Sequence, residues 1–218
     1  MVKAIMIDFW GTIIENGVFP SPIRQSQRIM KIDMPFSEYV VRFEEAFMVQ
    51  KFESLTEAFN NVSDEFGITL QNWQLDKLIG LWNKNRLLAR PYVETKDVLE
   101  DLKKEYRLIL IADTDSVSVS SILEKYDMKK LFDDVILSCD VGVVKTNPRM
   151  FELALERNNL VKEDVVMVGD SLESDVHSAL AAGIVPILID RQDKREFENK
   201  IMDLTQLKET IKAIEQKK

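Results

Sequence analysis

The chain has 218 residues, 45% of them apolar and 30% charged, with a formal net charge of -8. That length suits one large domain or a core with an inserted subdomain, and the acidic balance argues against a general nucleic-acid binder, whose phosphate contacts need clustered Lys and Arg. A single cysteine, Cys139, and a single histidine, His177, exclude an intramolecular disulfide and a His/Cys zinc cluster, and no apolar run approaches the roughly 18 residues of a membrane span.

The N-terminal MVKAIMID has one Lys and a very short apolar run ending in Asp8, unlike a signal peptide, so Met1 is expected to belong to the fold and the protein to work in a reducing cytoplasm. AIMI before Asp8 reads as the first buried strand. Residues 15–90 then show helical periods and no convincing strand, punctuated by Pro20-Ser21-Pro22 and Arg90-Pro91. Phe36, Val40, Phe43 and Phe47 share one helix face, Leu75, Leu78, Ile79 and Trp82 another, and SLTE from Ser54 reads as a capping box.

Beyond residue 90, strand and helix alternate. Thr95, Val98, Leu99 and Leu102 mark a helix before the strand LILIA, which ends at Asp113. Val119, Ile122, Leu123 and Tyr126 mark the next helix, before VIL at Ser138. VVMV runs into Gly169, Val176, Ala179, Leu180 and Gly183 predict one further helix, and VPILI ends at Asp190. The charged run DRQDKREFENK that starts there reads as a solvated loop without a motif. The pattern predicts an α/β protein with a doubly wound parallel sheet, residues 1–14 and 91–218 forming the core and 15–90 an inserted, all-helical subdomain.

Ligands of open parallel sheets bind beyond the carboxyl ends of the strands. The residues found there are Asp8, Asp113, Lys145, Asp170 and Asp175. Carboxylates gathered in a low-dielectric crevice repel one another unless they take up protons or bind a cation, and oxygen-only ligands favour magnesium. A carboxylate can also act as a nucleophile if a cation such as Lys145 matches the charge of its product. Gly11 and Gly169 would let backbone N–H groups approach an anion. The set reads as metal-assisted phosphoryl chemistry on a small phosphorylated metabolite, with no nucleic-acid or membrane partner; a monomer and a homodimer both stay open.

The ordered motifs DFWGT, LILIAD, VGVVKTNPRMF and VGDSLESD resemble those of the haloacid dehalogenase-like hydrolase superfamily, and the insertion lies where that family carries its helical C1 cap. The resemblance implies a Rossmann-like core and a nucleophilic Asp8 that forms a covalent aspartyl intermediate, with Lys145 neutralising it. It further implies magnesium held by Asp8, Asp170 and the backbone carbonyl of Trp10, with Asp175 holding the metal's water shell. Thr12 would position the turn, and Trp10, Gly11, Asp113 and Thr114 would line the substrate site.

Two positions depart from the family pattern. A phosphatase of this family has a second aspartate two residues after the nucleophile, as general acid and base, and here Trp10 stands in its place. The 2-haloacid dehalogenases carry an aromatic residue at that position and use no metal, but they replace the acidic pair that GDSLESD retains. The Ser or Thr that ends the second strand in the family aligns with Ala112, with Thr114 or Ser116 as substitutes. The expected function is thus a magnesium phosphatase, with a metal-independent 2-haloacid dehalogenase and a catalytically degenerate ligand-binding protein as alternatives. His177 is expected at the surface or in a second layer, and Cys139 in packing.

Overall fold

The computed structural model describes residues 1–217. Its sheet is built from β1 (Ala4–Ile7), β4 (Arg107–Ala112), β5 (Asp134–Leu137), β6 (Val165–Gly169), β7 (Val185–Ile189) and β8 (Lys200–Ile201). These strands run in the order β5-β4-β1-β6-β7-β8, and every pairing between neighbours is parallel. The uninterrupted apolar runs have a direct cause: both faces of the sheet are covered. Ile5 and Ile7 pack on one face with Leu108, Leu110, Val166 and Val168, while Ala4 and Met6 pack on the other with Ile109, Ile111, Val165 and Met167.

Helices α5 (Thr95–Leu102), α6 (Ser118–Lys125) and α10 (Leu207–Gln216) bury Leu99, Ile122 and Ile211 against the first face. Helices α8 (Arg149–Asn158) and α9 (Ser178–Ala181) bury Phe151 and Ala179 against the second. A short helix α7 (Ser138–Val141) follows β5 directly. This is the expected doubly wound, Rossmann-like sheet. The last strand, β8, was hidden by its length of two residues inside a charged run.

Between β1 and β4 the chain leaves the sheet through β2 (Ile14–Glu15) and returns through β3 (Arg90–Pro91), and these pair antiparallel with Ile14 opposite Pro91. The boundaries expected at 14/15 and 90/91 fall within this ribbon. The segment in between is helical: α1 (Pro22–Met30), α2 (Phe36–Phe47), α3 (Leu55–Glu65) and α4 (Asn72–Leu88). Its own core joins Tyr39, Phe43, Phe47, Phe59, Leu78 and Trp82, with Phe47 and Trp82 ring centroids 4.6 Å apart. Val144, the residue before Lys145, is the buried contribution of the sheet-bearing part to this cluster.

Three local expectations need correction. Of the four residues placed on one face of α2, Phe43 and Phe47 are fully buried, whereas Phe36 and Val40 are half-buried and line a crevice. At Ser54 the hydroxyl accepts from Glu57 N at 3.2 Å as a cap should, but the Glu57 carboxylate accepts from Glu53 N rather than from Ser54 N. The helix drawn through Val176, Ala179, Leu180 and Gly183 is instead a π-helical turn, Leu172–His177, followed by the short α9, which leaves Leu180 53% exposed. One wide turn adds a residue to the repeat, so a 3.6-residue period cannot stay in phase across it.

Candidate active site

The strand order reverses beside β1: the chain builds outward through β4 and β5 and then returns to β6 on the other side. A crevice opens at such a point beyond the strand ends. Here Asp8 follows β1 and Asp170 follows β6. The cavity there has a volume of about 680 Å³ and is lined by Asp8, Trp10, Asp113, Thr114, Lys145, Asp170 and Asp175 together with residues of α1 and α2.

The Asp8 carboxylate is held on both oxygens. Thr12 Oγ1 donates to Oδ2 at 2.9 Å, and Lys145 Nζ donates to Oδ1 at 2.5 Å. The same ammonium reaches Asp175 Oδ1 at 2.6 Å, and Lys145 is 2% exposed. Burial alone would lower the Lys145 pKa, but Asp175, Asp8 and Asp113 together hold it well above its ordinary value. Asp113 Oδ1 accepts from Lys145 N at 3.0 Å and so fixes the loop that carries the lysine, while its Oδ2 is buried with no hydrogen-bond partner among the described residues.

Asp8, Asp170 and Asp175 each bring a carboxylate oxygen within 4.8 Å of the other two. Burial, reinforced by Asp8 and Asp175, pushes Asp170 up to about 8. Burial also raises Asp175 to about 7, against the pull of Lys145. Three carboxylates facing one ammonium leave a deficit of positive charge, which a divalent cation would fill. The donors are all oxygen, the set a hard cation prefers. The residues therefore fit a divalent metal.

Both glycines of the loops serve the carboxylates rather than an anion directly. A Cβ on Gly11, whose φ is +77°, would lie 2.3 Å from Asp170 Oδ2, and one on Gly169 would lie 2.1 Å from Asp175 Oδ2. The π-helical turn has the same logic. Its wide loop lets Asp175 fold back so that Oδ2 accepts from Ser171 N at 2.9 Å while Oδ1 meets Lys145.

The profile of the haloacid dehalogenase-like hydrolases matches residues 2–183. The chain belongs to that hydrolase family. It is 29% identical, over 97% of its length and 100% of the relative's, to a glyceraldehyde 3-phosphate phosphatase of Methanothermobacter thermautotrophicus. A haloacid dehalogenase-like phosphatase from Thermococcus onnurineus superposes with a TM-score of 0.64 at 23% identity, covering 96% of this chain and 98% of that one. A 2-haloacid dehalogenase from Pseudomonas syringae superposes with a TM-score of 0.67 at 20% identity, covering 98% and 100%. These two structures share the fold, which hosts both chemistries.

At the family's variable positions the structure is specific. Trp10 lines the crevice and sets its ring edge-on to Phe9, centroids 5.1 Å apart. Thr114 is the hydroxyl residue near the end of β4 that lines the crevice; its N–H donates to Ser138 Oγ at 2.9 Å, and Ser116 lies outside. His177 is exposed, and Cys139 is buried, its thiol pushed up to about 12 chiefly by burial.

The charged run after β7 is more than a solvated loop. Asp190 accepts from the N–H groups of Lys194 and Arg195 and from the Arg195 guanidinium, which also bonds the Asp170 carbonyl. Arg191 donates to the carbonyls of Gly11 and Thr12, pairs with Glu94 at 2.8 Å and stacks 3.4 Å over the Tyr92 ring. Glu44 on α2 also lines the crevice. Sequence reasoning missed all three residues, because the arginines sit in a polar run and Glu44 in an ordinary amphipathic helix.

Proposed function

We propose that this protein is a magnesium-dependent phosphatase that cleaves a small phosphate ester through a phosphoaspartyl intermediate on Asp8, with residues 15–90 acting as a cap. The observation that carries the reading is the convergence of Asp8, Asp170 and Asp175 within 4.8 Å around Lys145. A metal-free dehalogenase gains nothing from two further buried carboxylates beside its nucleophile, since their repulsion costs stability without a cation to offset it.

Asp8, Asp170 and the Trp10 carbonyl would hold the magnesium, with Asp175 ordering its waters. Bound there, the ion supplies charge compensation to the phosphoryl oxygens. The protein's own groups do the rest. Thr12 and Lys145 orient the Asp8 carboxylate for attack on phosphorus and prevent its rotation. Lys145 also offers positive charge to the phosphoryl group as the aspartate's own charge is consumed, and Asp113 keeps that lysine in place through its backbone N–H. Closure of the helical segment over the crevice would exclude water during the first half-reaction.

The Methanothermobacter relative's name makes glyceraldehyde 3-phosphate the first ester to assay, as a small phosphorylated metabolite of the cytoplasm. Phosphate release should require magnesium, stop with chelator, and vanish in Asp8→Asn, whose side chain cannot form the acyl phosphate. Chloride release from 2-chloropropionate that resists chelator would overturn the reading in favour of dehalogenation. Absence of turnover on every ester, with thermal stabilisation by one of them, would mark a binding protein instead.

A further inference from the structure

The core lacks a proton donor where the family's phosphatases keep one, because Trp10 occupies that position. An ester with a poor leaving group then needs its proton from elsewhere. In-line displacement sets the direction from which it must come: the attacking and leaving oxygens lie on opposite sides of phosphorus. With Asp8 below, at the end of β1, the leaving oxygen points up toward the helical segment.

Along the cavity wall, α2 and the residue that ends it place Phe36, Val40, Glu44 and Met48 at every fourth position, with Ser37 beside Phe36. Three of these are apolar, and Glu44 alone carries a charge. Among the described residues no hydrogen bond or ion pair holds its carboxylate, although it is half-buried and shares the cavity with the Asp8 cluster. Nothing in the packing of α2 calls for it. The faces beside it already bury Phe43 and Phe47 in the aromatic core, and residue 44 is not among the residues of that core. Of the other acids lining the crevice, Asp113 accepts from Lys145 N through Oδ1, Asp115 accepts from Ser118 and Trp82, and Asp170 and Asp175 belong to the metal cluster. Glu173 is held by no side-chain hydrogen bond among the described residues either, but it stands on the π-helical turn that carries Asp175, in the sheet-bearing part with Asp8 rather than on the helical segment.

We propose that Glu44, delivered by the helical segment, is the catalytic acid and base that replaces the missing core aspartate. The inference rests on the phosphatase reading. In the first half-reaction Asp8 Oδ forms a bond to phosphorus and the bond from phosphorus to the ester oxygen breaks. That oxygen keeps the electron pair and takes the proton of the Glu44 carboxyl, so the alcohol departs neutral. In the second, water attacks phosphorus from the vacated side and gives a proton back to Glu44, the bond to Asp8 breaks, and inorganic phosphate leaves with both residues restored.

The surroundings suit a donor. Burial and the nearby carboxylates of Asp113, Asp175 and Asp8 hold Glu44 well above the usual carboxylate range, against the opposing pull of Lys145. On this assignment the acid comes from the helical segment, so closure of that segment over the crevice would bring the proton donor in as it excludes water.

The test compares esters with opposite needs for a proton, and each is read as variant against wild type on the same ester. Wild-type, Glu44→Gln and Glu44→Asp proteins are assayed with magnesium on 4-nitrophenyl phosphate, whose leaving group departs as an anion, and on glycerol 3-phosphate, whose leaving group cannot. In the first turnover Glu44→Gln should release glycerol about 100- to 10,000-fold more slowly and 4-nitrophenol less than about tenfold more slowly, while steady-state turnover of both esters falls because they share the dephosphorylation step. Glu44→Asp should fall between, and adding Trp10→Asp to Glu44→Gln should recover activity on the glycerol ester. Equal slowing of first-turnover release from both esters, or unchanged release of glycerol, overturns the assignment while leaving the phosphatase intact. A wild-type protein inert on both esters and on glyceraldehyde 3-phosphate overturns the phosphatase reading and the assignment with it. Thermal unfolding with magnesium identifies any variant that fails to fold, and in that case the Trp10→Asp protein alone decides: it should gain on the glycerol ester less than about tenfold if Glu44 already supplies the proton, and about 100-fold or more if nothing does.

Discussion

Single atoms decide much of this site. Gly11 is needed for two reasons at once, a left-handed backbone with φ of +77° and the 2.3 Å approach of the Asp170 carboxylate to where a Cβ would stand. Gly67 has a similar φ of +61° but nothing within 4 Å, which makes it the natural control. Gly67→Ala should cost only backbone strain, about 1–2 kcal/mol, whereas Gly11→Ala should also displace Asp170 and reduce the rise in Tm on adding magnesium. Differential scanning fluorimetry of both variants, with magnesium and with chelator, reads the difference. Arg191 offers a second residue-scale test. Its guanidinium serves two carbonyls, one carboxylate and one ring face, a geometry that an ammonium cannot copy, so Arg191→Lys should destabilise by about 1–3 kcal/mol in urea unfolding.

At the level of elements, the helical segment and the sheet have separate hydrophobic cores, joined also by polar contacts such as the Lys51–Asp140 ion pair at 2.6 Å. The aromatic cluster of α2, α3 and α4 meets the sheet-bearing part through Val144 and through the 2.9 Å hydrogen bond from Trp82 Nε1 to Asp115 Oδ2. One contact lies at the residue before Lys145 and the other in the turn after Asp113, so the helical segment touches the sheet-bearing part at the borders of the site. Phe47→Ala removes a fully buried ring from this cluster and should cost about 3–5 kcal/mol. The loss should be local. Hydrogen exchange is expected to show amides of α1 to α4 losing protection before those of β1, β4 and β6.

For the molecule as a whole, the buried carboxylates tie stability to pH and to metal. Asp170, raised to about 8, and Asp175, raised to about 7, keep protons in the folded state that the unfolded chain has already released. Their contribution is therefore full below the unfolded carboxylate value of about 4 and is lost as pH rises through the folded values. In chelator, Tm should fall between about pH 5 and about pH 8 beyond any change seen in an Asp170→Asn variant. Magnesium bound as proposed would compete with those protons, so the stabilisation it confers should grow over the same window. Thermal unfolding across that range with and without the ion measures both trends.

What the sequence determined by itself was the frame. Buried parallel strands must be apolar on both faces, so each showed as a continuous run, and its end marked where Asp8, Asp113 and Asp170 stand. Lys145 was legible through its motif, and the helical segment through its periods and its lack of strands. The π-helical turn, the two-residue β8 and the grip of Arg191 on the Gly11–Thr12 loop left no periodic trace, being properties of one turn or of contacts between residues about 180 positions apart. Only the tertiary structure decided that Thr114, not Ser116, faces the crevice, and that α2 turns Val40 and Glu44 toward Asp8 while burying Phe43 and Phe47. A hydrophobic pattern records how much of a residue is buried; what it is buried against depends on how separate elements dock, and that is where the chemistry opposite Trp10 was hidden.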